Sequence, residues 1–180
     1  MAIVTLADAK KQLNIDPGET DDDVELQGFV DAATAAVELQ LGQVVDPRTI
    51  VEQVSLQRGL SSFLLRCVPV ISLTSIVSLD GATVWNVGQM RVDGPSGLVT
   101  VLSGPLVSGD VVATYQAGMV PVQANVQLAT KIIIQHLWET QRGTMGVQLG
   151  GDNEPYMPGR GFAIPRRAVE LLGPQLPGVA

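Results

Sequence analysis

The spacing of apolar residues changes twice along this 180-residue chain, and this restricts the fold more than any other feature. Towards both ends, apolar residues recur every three or four positions, as on one face of an α-helix. Between residues 49 and 116, short β-branched runs alternate with polar residues and are separated by turn residues, as in an antiparallel sheet. The pattern predicts an α+β fold in which a helical core is interrupted by a small antiparallel β module.

The N-terminal segment is predicted to form a helical hairpin over about residues 5–42. Thr5 and Asp8 have the spacing of a capping box, and the turn sequence at 16–18 ends the first helix. Gly42 is the expected end of the second helix. Four acids occupy the start of that helix, where its dipole favours negative charge. These acids are Asp21, Asp22, Asp23 and Glu25.

A calcium-binding loop is the alternative interpretation of these acids. The position that requires glycine in such a loop is occupied by Leu26, and no bidentate acid follows at the necessary spacing. We therefore favour the helix dipole over a metal site.

The middle of the chain carries strand signals. Turn sequences such as Asp80-Gly81 and Ser108-Gly109-Asp110 separate the runs, and their spacing predicts a small sandwich or barrel. The predicted strands cover residues 50–56, 63–67, 76–79, 89–92, 98–101 and 111–115.

Helical spacing returns at Pro121, a residue suited to the first position of a helix. A helix over 121–142 would be about 33 Å long, long enough for one end to extend beyond its own subunit. Residues 143–163 contain six glycines and no periodicity, which predicts a tether. A short amphipathic helix follows Pro165 and ends before Gly173. We thus expect a helical core of 1–48 and 117–142, an inserted β module of 49–116, and a tether with a terminal helix in 143–180.

The charge is concentrated in one segment. The formal net charge is -7, and residues 1–52 hold eleven acids against three bases, a balance of −8. With three lysines in the chain, a protein that grips nucleic acid through its phosphates is disfavoured. The N-terminus has no basic segment ahead of an apolar run, and no apolar run approaches membrane-spanning length. We expect a protein made inside the cell without a membrane partner.

Catalytic chemistry has few candidate residues. His136 is the one histidine and Cys67 the one cysteine, and both are better explained as structural residues. No nucleophile elbow or phosphate-binding loop occurs. We predict no catalytic residue, no metal and no cofactor; a hydrolase using Cys67 and His136 is the weakest hypothesis.

A β-sandwich binding module, for instance for carbohydrate, is the second hypothesis for function. Sugar sites usually need exposed aromatic platforms, and the β module contains Phe63, Trp85 and Tyr115. Trp85, next to a turn, is the candidate platform.

Five segments of the chain, in this order, resemble the head-tail connector (adaptor) family of tailed bacteriophages. The resemblance covers nearly the whole chain, although this sequence adds the β module to the helical pattern of the shorter members. The matching segments are 5–13, Asp22-Asp23 leading into 26–33, Tyr115-Gln116-Ala117-Gly118 leading into Pro121 and Ala129, 136–143, and 164–167 with Leu171-Leu172.

The resemblance implies a structural virion protein rather than an enzyme. Such proteins form rings, usually of twelve copies, that dock beneath the portal and extend the DNA channel. The implied partners are further copies of the chain, the portal protein, the next neck or tail-completion protein, and double-stranded DNA that passes through without sequence-specific binding. Assembly is expected in the host cytoplasm, and the final location is the neck of the virion.

The same resemblance assigns roles to individual residues. The acids Asp21, Asp22, Asp23 and Glu25 would face the channel or the solvent. Subunit packing would involve Ile133, Leu137, Trp138 and Arg142; Trp138 and Arg142 lie one helical turn apart and suit either an interface or a core. Portal docking would involve Pro165, Arg166, Arg167, Val169, Leu171 and Leu172.

Overall fold

A computed structural model of the protein describes residues 3–142 and 164–173. These residues form an α+β fold, as predicted, with four α-helices and seven strands. The helices are α1 (Leu6–Leu13), α2 (Asp23–Leu41), α3 (Ala124–Arg142) and α4 (Arg166–Leu172). The strands are β1 (Arg48–Leu60), β2 (Ser62–Leu64), β3 (Val70–Ser78), β4 (Val84–Trp85), β5 (Met90–Asp93), β6 (Leu98–Val101) and β7 (Val107–Ala117).

The described residues fall into two compact units. The β unit is Gly42–Val122, and the helical unit combines Ile3–Leu41 with the described residues that follow 122. Among the described residues, the chain enters the β unit after α2 and leaves it before α3. The predicted tether, 143–163, lies outside the described residues.

The start of α1 is the predicted capping box. The Asp8 N–H donates to Thr5 Oγ1 over 3.1 Å, and the Thr5 N–H donates to the Asp8 carboxylate over 3.3 Å. Hydrogen bonds from the Thr5 side chain and backbone lower the pKa of the Asp8 carboxyl. The predicted hairpin over 5–42 is confirmed as two helices, although the second begins only at Asp23.

A buried lysine fixes the connection between α1 and α2. Lys10 is 6% exposed, and its Nζ lies 2.5 Å from Asp23 Oδ1. The same ammonium donates to the Glu19 carbonyl over 2.6 Å. Burying a charge is costly unless it is paired and hydrogen-bonded, and here both conditions hold.

The β unit consists of two antiparallel sheets. The larger sheet has the order β1-β7-β3-β4 and the smaller has the order β2-β6-β5. Side chains from both sheets share one apolar core, which includes the fully buried residues Ile76, Val99, Val107, Val111, Ala113 and Tyr115.

Two strand predictions need correction. Ser108-Gly109-Asp110 is not a turn but part of β7, where Gly109 has φ 79° and the pairing with β1 shifts register between Leu56 and Leu60. A glycine with positive φ suits such a bulge as well as a turn. Strand β3 starts at Val70 rather than 76, because two register shifts against β7 interrupt its alternation.

Helix α3 starts three residues later than predicted. The Met119 N–H donates to the Val45 carbonyl over 3.0 Å, so the chain is still bonded to the β unit just before Pro121. The helix begins at Ala124 and has 19 residues, about 28 Å of axial length. Within the described part of the chain, no helix has the length and apolar character needed to cross a membrane.

Candidate assembly surfaces

The short helix α4, predicted to dock on the portal, packs within its own helical unit. Ala168 and Leu172 are buried, and the Asn125 side-chain amide on α3 donates to the Leu171 carbonyl over 2.9 Å. Pro165 and Val169 are half-buried, as is the Leu171 side chain. The apolar side of α4 is therefore largely occupied by contacts inside the subunit.

The basic residues of α4 remain accessible. The Arg166 side chain is 92% exposed and its Nε lies 3.2 Å from Glu170 Oε1. Arg167 is exposed and has no hydrogen bond or ion pair with any residue that the structure describes. Cations at a helix N-terminus are disfavoured by the helix dipole, so a negatively charged partner would relieve this arrangement.

The apolar residues that were assigned to subunit packing face inward. Ile133 is fully buried and Leu137 is 9% exposed, so both pack within the helical unit. The half-buried Trp138 meets Phe29 of α2 edge to face, with ring centroids 6.3 Å apart. The side chain of Arg142 lies outside the described part of the structure.

The four acids at the start of α2 do not form one surface. Asp21 and Glu25 are exposed, whereas Asp22 is half-buried. Asp23, the first residue of α2, forms an ion pair with Lys10 of α1. Their assignment to a channel or solvent surface remains a prediction, and Asp23 has a structural role besides.

An exposed apolar face on α2 was not predicted. Val24 is 88% exposed and Leu39 is 80% exposed. Gly28, Ala32 and Ala35, on the same side of the helix, are exposed as well. The sequence signal was present but weak, because the buried stripe of α2 shows the same helical spacing more strongly.

The aromatic residues of the β unit are all in its core. Phe63 and Trp85 are nearly buried, and Tyr115 is fully buried. The Trp85 Nε1–H donates to the Leu106 carbonyl over 3.3 Å, which satisfies its polar atom inside the protein. The predicted sugar-binding platform at Trp85 is wrong, because a buried indole cannot stack on a ligand.

Cys67 and His136 belong to different compact units. Both residues are half-buried. No group of three or more metal-ligating side chains occurs among residues 3–142 and 164–173.

The Tyr115-Gln116-Ala117-Gly118 segment, part of the family resemblance, is hydrogen-bonded to two other segments of the β unit. The Tyr115 hydroxyl donates to Glu52 Oε2 over 2.6 Å and accepts the Cys67 N–H over 3.1 Å. Burial and the hydrogen bond to Glu52 raise the pKa of the Tyr115 phenol. The Gly118 N–H donates to the Pro69 carbonyl over 2.9 Å.

Gly118 also allows a close approach of two chain segments. Its φ is 145°, and a Cβ atom there would lie 2.5 Å from Pro47 Cα. Sequence reasoning identified the segment through its resemblance but missed this role, which depends on residues far away in the chain.

The comparisons with known proteins agree with this architecture. The family model for head completion proteins matches residues 2–174, and no curated protein matches the chain. A chain in the neck of an empty gene transfer agent (GTA) particle, computed with C6 symmetry, has a TM-score of 0.67 and 18% identity over 97% of this chain and 91% of that one.

Two further solved structures are similar. One is the virion of a native GTA particle, with a TM-score of 0.66 and 18% identity over 97% of this chain and 91% of that one. The other is the neck of a native GTA particle computed with C12 symmetry, with a TM-score of 0.64 and 18% identity over 96% of this chain and 88% of that one. At this identity the similarity establishes the fold. Because the family match spans almost the whole chain, the predicted kinship with head-tail connectors is confirmed, and the chain belongs to the head completion protein family.

Proposed function

We propose that the protein forms a ring of twelve copies beneath the portal, joins the head to the tail and extends the DNA channel. The match of residues 2–174 to the head completion protein family carries this proposal, since the completion of a virion head is a structural task. The similar fold of chains in GTA necks computed with sixfold and twelvefold symmetry supports a ring.

The charge of the chain suits a conduit for DNA. Twelve copies at -7 would carry a formal charge of −84, and such a ring would not hold DNA by releasing counterions from its phosphates. Exposed acids at the start of α2, such as Asp21 and Glu25, would repel the DNA backbone wherever they face it. The DNA would thus pass without being retained.

The basic end of α4 is the surface we assign to the portal. Arg166 and Arg167 are exposed at its first turn, and the apolar residues beneath them fix the helix on its own unit. A helix held in this way presents its charges without a large ordering cost on binding. An acidic surface of the portal is the complementary partner.

Native mass spectrometry and negative-stain microscopy of the protein, alone and mixed with its portal, test the ring. We expect closed rings, with twelve copies in the portal complex. A protein that stays monomeric and ignores the portal would contradict the proposal.

Reversing both charges of α4, in the variant Arg166→Glu/Arg167→Glu, is expected to weaken portal binding by at least about tenfold. Each charge-assisted contact is worth about 1.5–3 kcal/mol, and about 1.4 kcal/mol corresponds to a factor of ten. Biolayer interferometry against immobilised portal would measure the change.

The matched control is Arg91→Glu, which reverses an exposed arginine of β5 in the β unit. It carries the same kind of charge change and should leave portal affinity unaltered. Circular dichroism should be the same for all three proteins. Equal portal affinity of the α4 variant and the unmodified protein would disprove the α4 assignment.

A further inference from the structure

The larger sheet of the β unit ends in two different open edges. Its order places β1 at one side and β4 at the other. Neither β1 nor β4 has a second neighbouring strand within the described residues. An open strand carries a row of unpaired backbone donors and acceptors, which can pair with another chain.

The register shows which residues of β1 present these groups. The Leu79 N–H donates to the Asp110 carbonyl over 2.8 Å, so Asp110 of β7 directs its backbone groups towards the β3 side. The backbone N–H and C=O groups of successive residues in a strand point to opposite neighbouring strands. Ala113, three residues after Asp110, therefore points its backbone groups towards β1, where it pairs with Glu52. The residues on either side of Glu52, including Val51, therefore point their backbone N–H and C=O groups away from the sheet.

The same alternation applies to β4. The Ser78 N–H donates to the Thr83 carbonyl over 2.8 Å, so Ser78 and Thr83 are a hydrogen-bonded pair. Such pairs recur every second residue, and two positions earlier in β3 the hydrogen-bonded pair is Ile76 with Trp85. Val84 lies between these pairs, so its backbone N–H and C=O point outward.

The two valines also share a face of the sheet. Residues directly opposite each other on neighbouring strands have side chains on the same face of the sheet. One such row crosses all four strands and consists of Val84 of β4, Val77 of β3, Val112 of β7 and Gln53 of β1. Val51 is two positions from Gln53, so its side chain lies on the same face. Val51 is 68% exposed and Val84 is 69% exposed.

Neither edge strand contains a lysine or a proline. Natural edge strands are also blunted by a bulge or by a very short length, and here β4 has two residues and the bulge of β1 lies beyond Leu56. Pairing would therefore involve the single outward residue of β4, Val84, and the part of β1 before its bulge. The outward positions of β1 are Thr49, Val51, Gln53 and Ser55. Of the three charged residues of β1, Arg48 begins the strand, Arg58 lies near its end, and Glu52 accepts the Tyr115 hydroxyl on the core side. The residues of β4 are uncharged.

We propose that β4 of one subunit pairs with β1 of the next, so that the larger sheets join edge to edge around the ring. The inference rests on the proposed ring. A cyclic ring needs two different, complementary surfaces on each subunit, and β1 and β4 are two such surfaces at opposite sides of one sheet. Pairing of β1 with another β1 would instead join two copies symmetrically and close at a dimer.

Disulfide trapping tests the contact. In a Cys67→Ala background, Val51→Cys/Val84→Cys treated with diamide should give a ladder of cross-linked species up to the full ring on non-reducing gels. Within one subunit these positions are three strand spacings apart, about 14 Å, whereas a disulfide needs Cα atoms within about 7 Å. Every link must therefore join two copies.

Three controls separate the outcomes. Val51→Cys alone and Val84→Cys alone should give no ladder, and dimers of the first would overturn the proposal in favour of β1 with β1. Val51→Cys/Leu102→Cys places the second thiol at a side chain of similar exposure, 64%, outside the larger sheet. A ladder of equal strength from this pair would show random collision and overturn the proposal.

Proline offers a second measurement. Val51→Pro removes only an outward N–H, so the pairing of β1 with β7 and the thermal transition should persist while the fraction of rings falls. Val51→Thr keeps the N–H and should leave rings intact. If the unmodified protein forms rings but the double cysteine variant gives no ladder, the edge contact is refuted and the proposed function is not. Absence of rings and of portal binding in the unmodified protein would refute the function itself.

Discussion

Replacing Gly118 with alanine is expected to destabilise the β unit by about 3 kcal/mol. The new Cβ would lie 2.5 Å from Pro47 Cα and 2.8 Å from Pro47 N, and backbone atoms cannot move aside as a flexible side chain can. The positive φ of 145° adds strain for any residue with a Cβ atom. Backbone strain and overpacking each cost about 1–3 kcal/mol. Urea unfolding followed by tryptophan fluorescence would measure the loss.

Gly109→Ala is the matched control for this variant. Gly109 lies in the same strand-rich unit and also has a positive φ, 79°, but a Cβ atom there would meet nothing within 4 Å. Gly109→Ala should lower the free energy of unfolding by about 1 kcal/mol, the cost of the backbone strain alone. If both variants lose the same stability, the close approach to Pro47 contributes nothing.

Replacing Tyr115 with phenylalanine is expected to cost about 2 kcal/mol. The substitution removes the donor to Glu52, whose side chain is 10% exposed, and the acceptor for the Cys67 N–H. A buried polar group that loses its partner costs about 1–3 kcal/mol, and more if it is charged. Glu52→Gln, which keeps a neutral acceptor for the hydroxyl, should cost less. Equal stability of Tyr115→Phe and the unmodified protein would mean that the network is not stabilising.

The same substitution should change how stability responds to alkaline pH. The pKa of the Tyr115 phenol is raised in the folded protein, whereas the unfolded phenol titrates near its ordinary value of 10.0. Above that pH the unfolded chain gives up a proton that the folded chain keeps, so the free energy of unfolding falls as pH rises. In Tyr115→Phe this fall should be shallower. An identical fall in both proteins would contradict the contribution of Tyr115.

Features that depend on neighbouring residues were predictable from the sequence. The capping box at Thr5 and Asp8 needs only residues three apart. Helix α4 begins after Pro165 and ends before Gly173, as its composition indicated. Gly109 marks the limit of such reasoning. A glycine between a serine and an aspartate suits a turn and a bulge equally, and the pairing with β1 decides between them.

The candidate surfaces were harder to predict, because exposure depends on the whole fold. Ile133 and Val24 are both apolar residues on helices, yet the first is fully buried and the second is 88% exposed. Which of the two is buried depends on where α2 meets α3, as seen in the contact of Phe29 with Trp138. The family relationship could be predicted from the sequence alone, because an ordered series of short motifs can be recognised without knowing which residues are in contact.

The hydrogen bond between Met119 and Val45 has a consequence for the history of the chain. It brings the first and last parts of the β unit side by side, with the Met119 nitrogen 3.0 Å from the Val45 oxygen. A segment whose two ends meet can be gained or lost in one genetic event, because a short connection suffices to close the gap. The β unit can therefore be inserted or removed as one piece while α1, α2 and α3 keep their own connections.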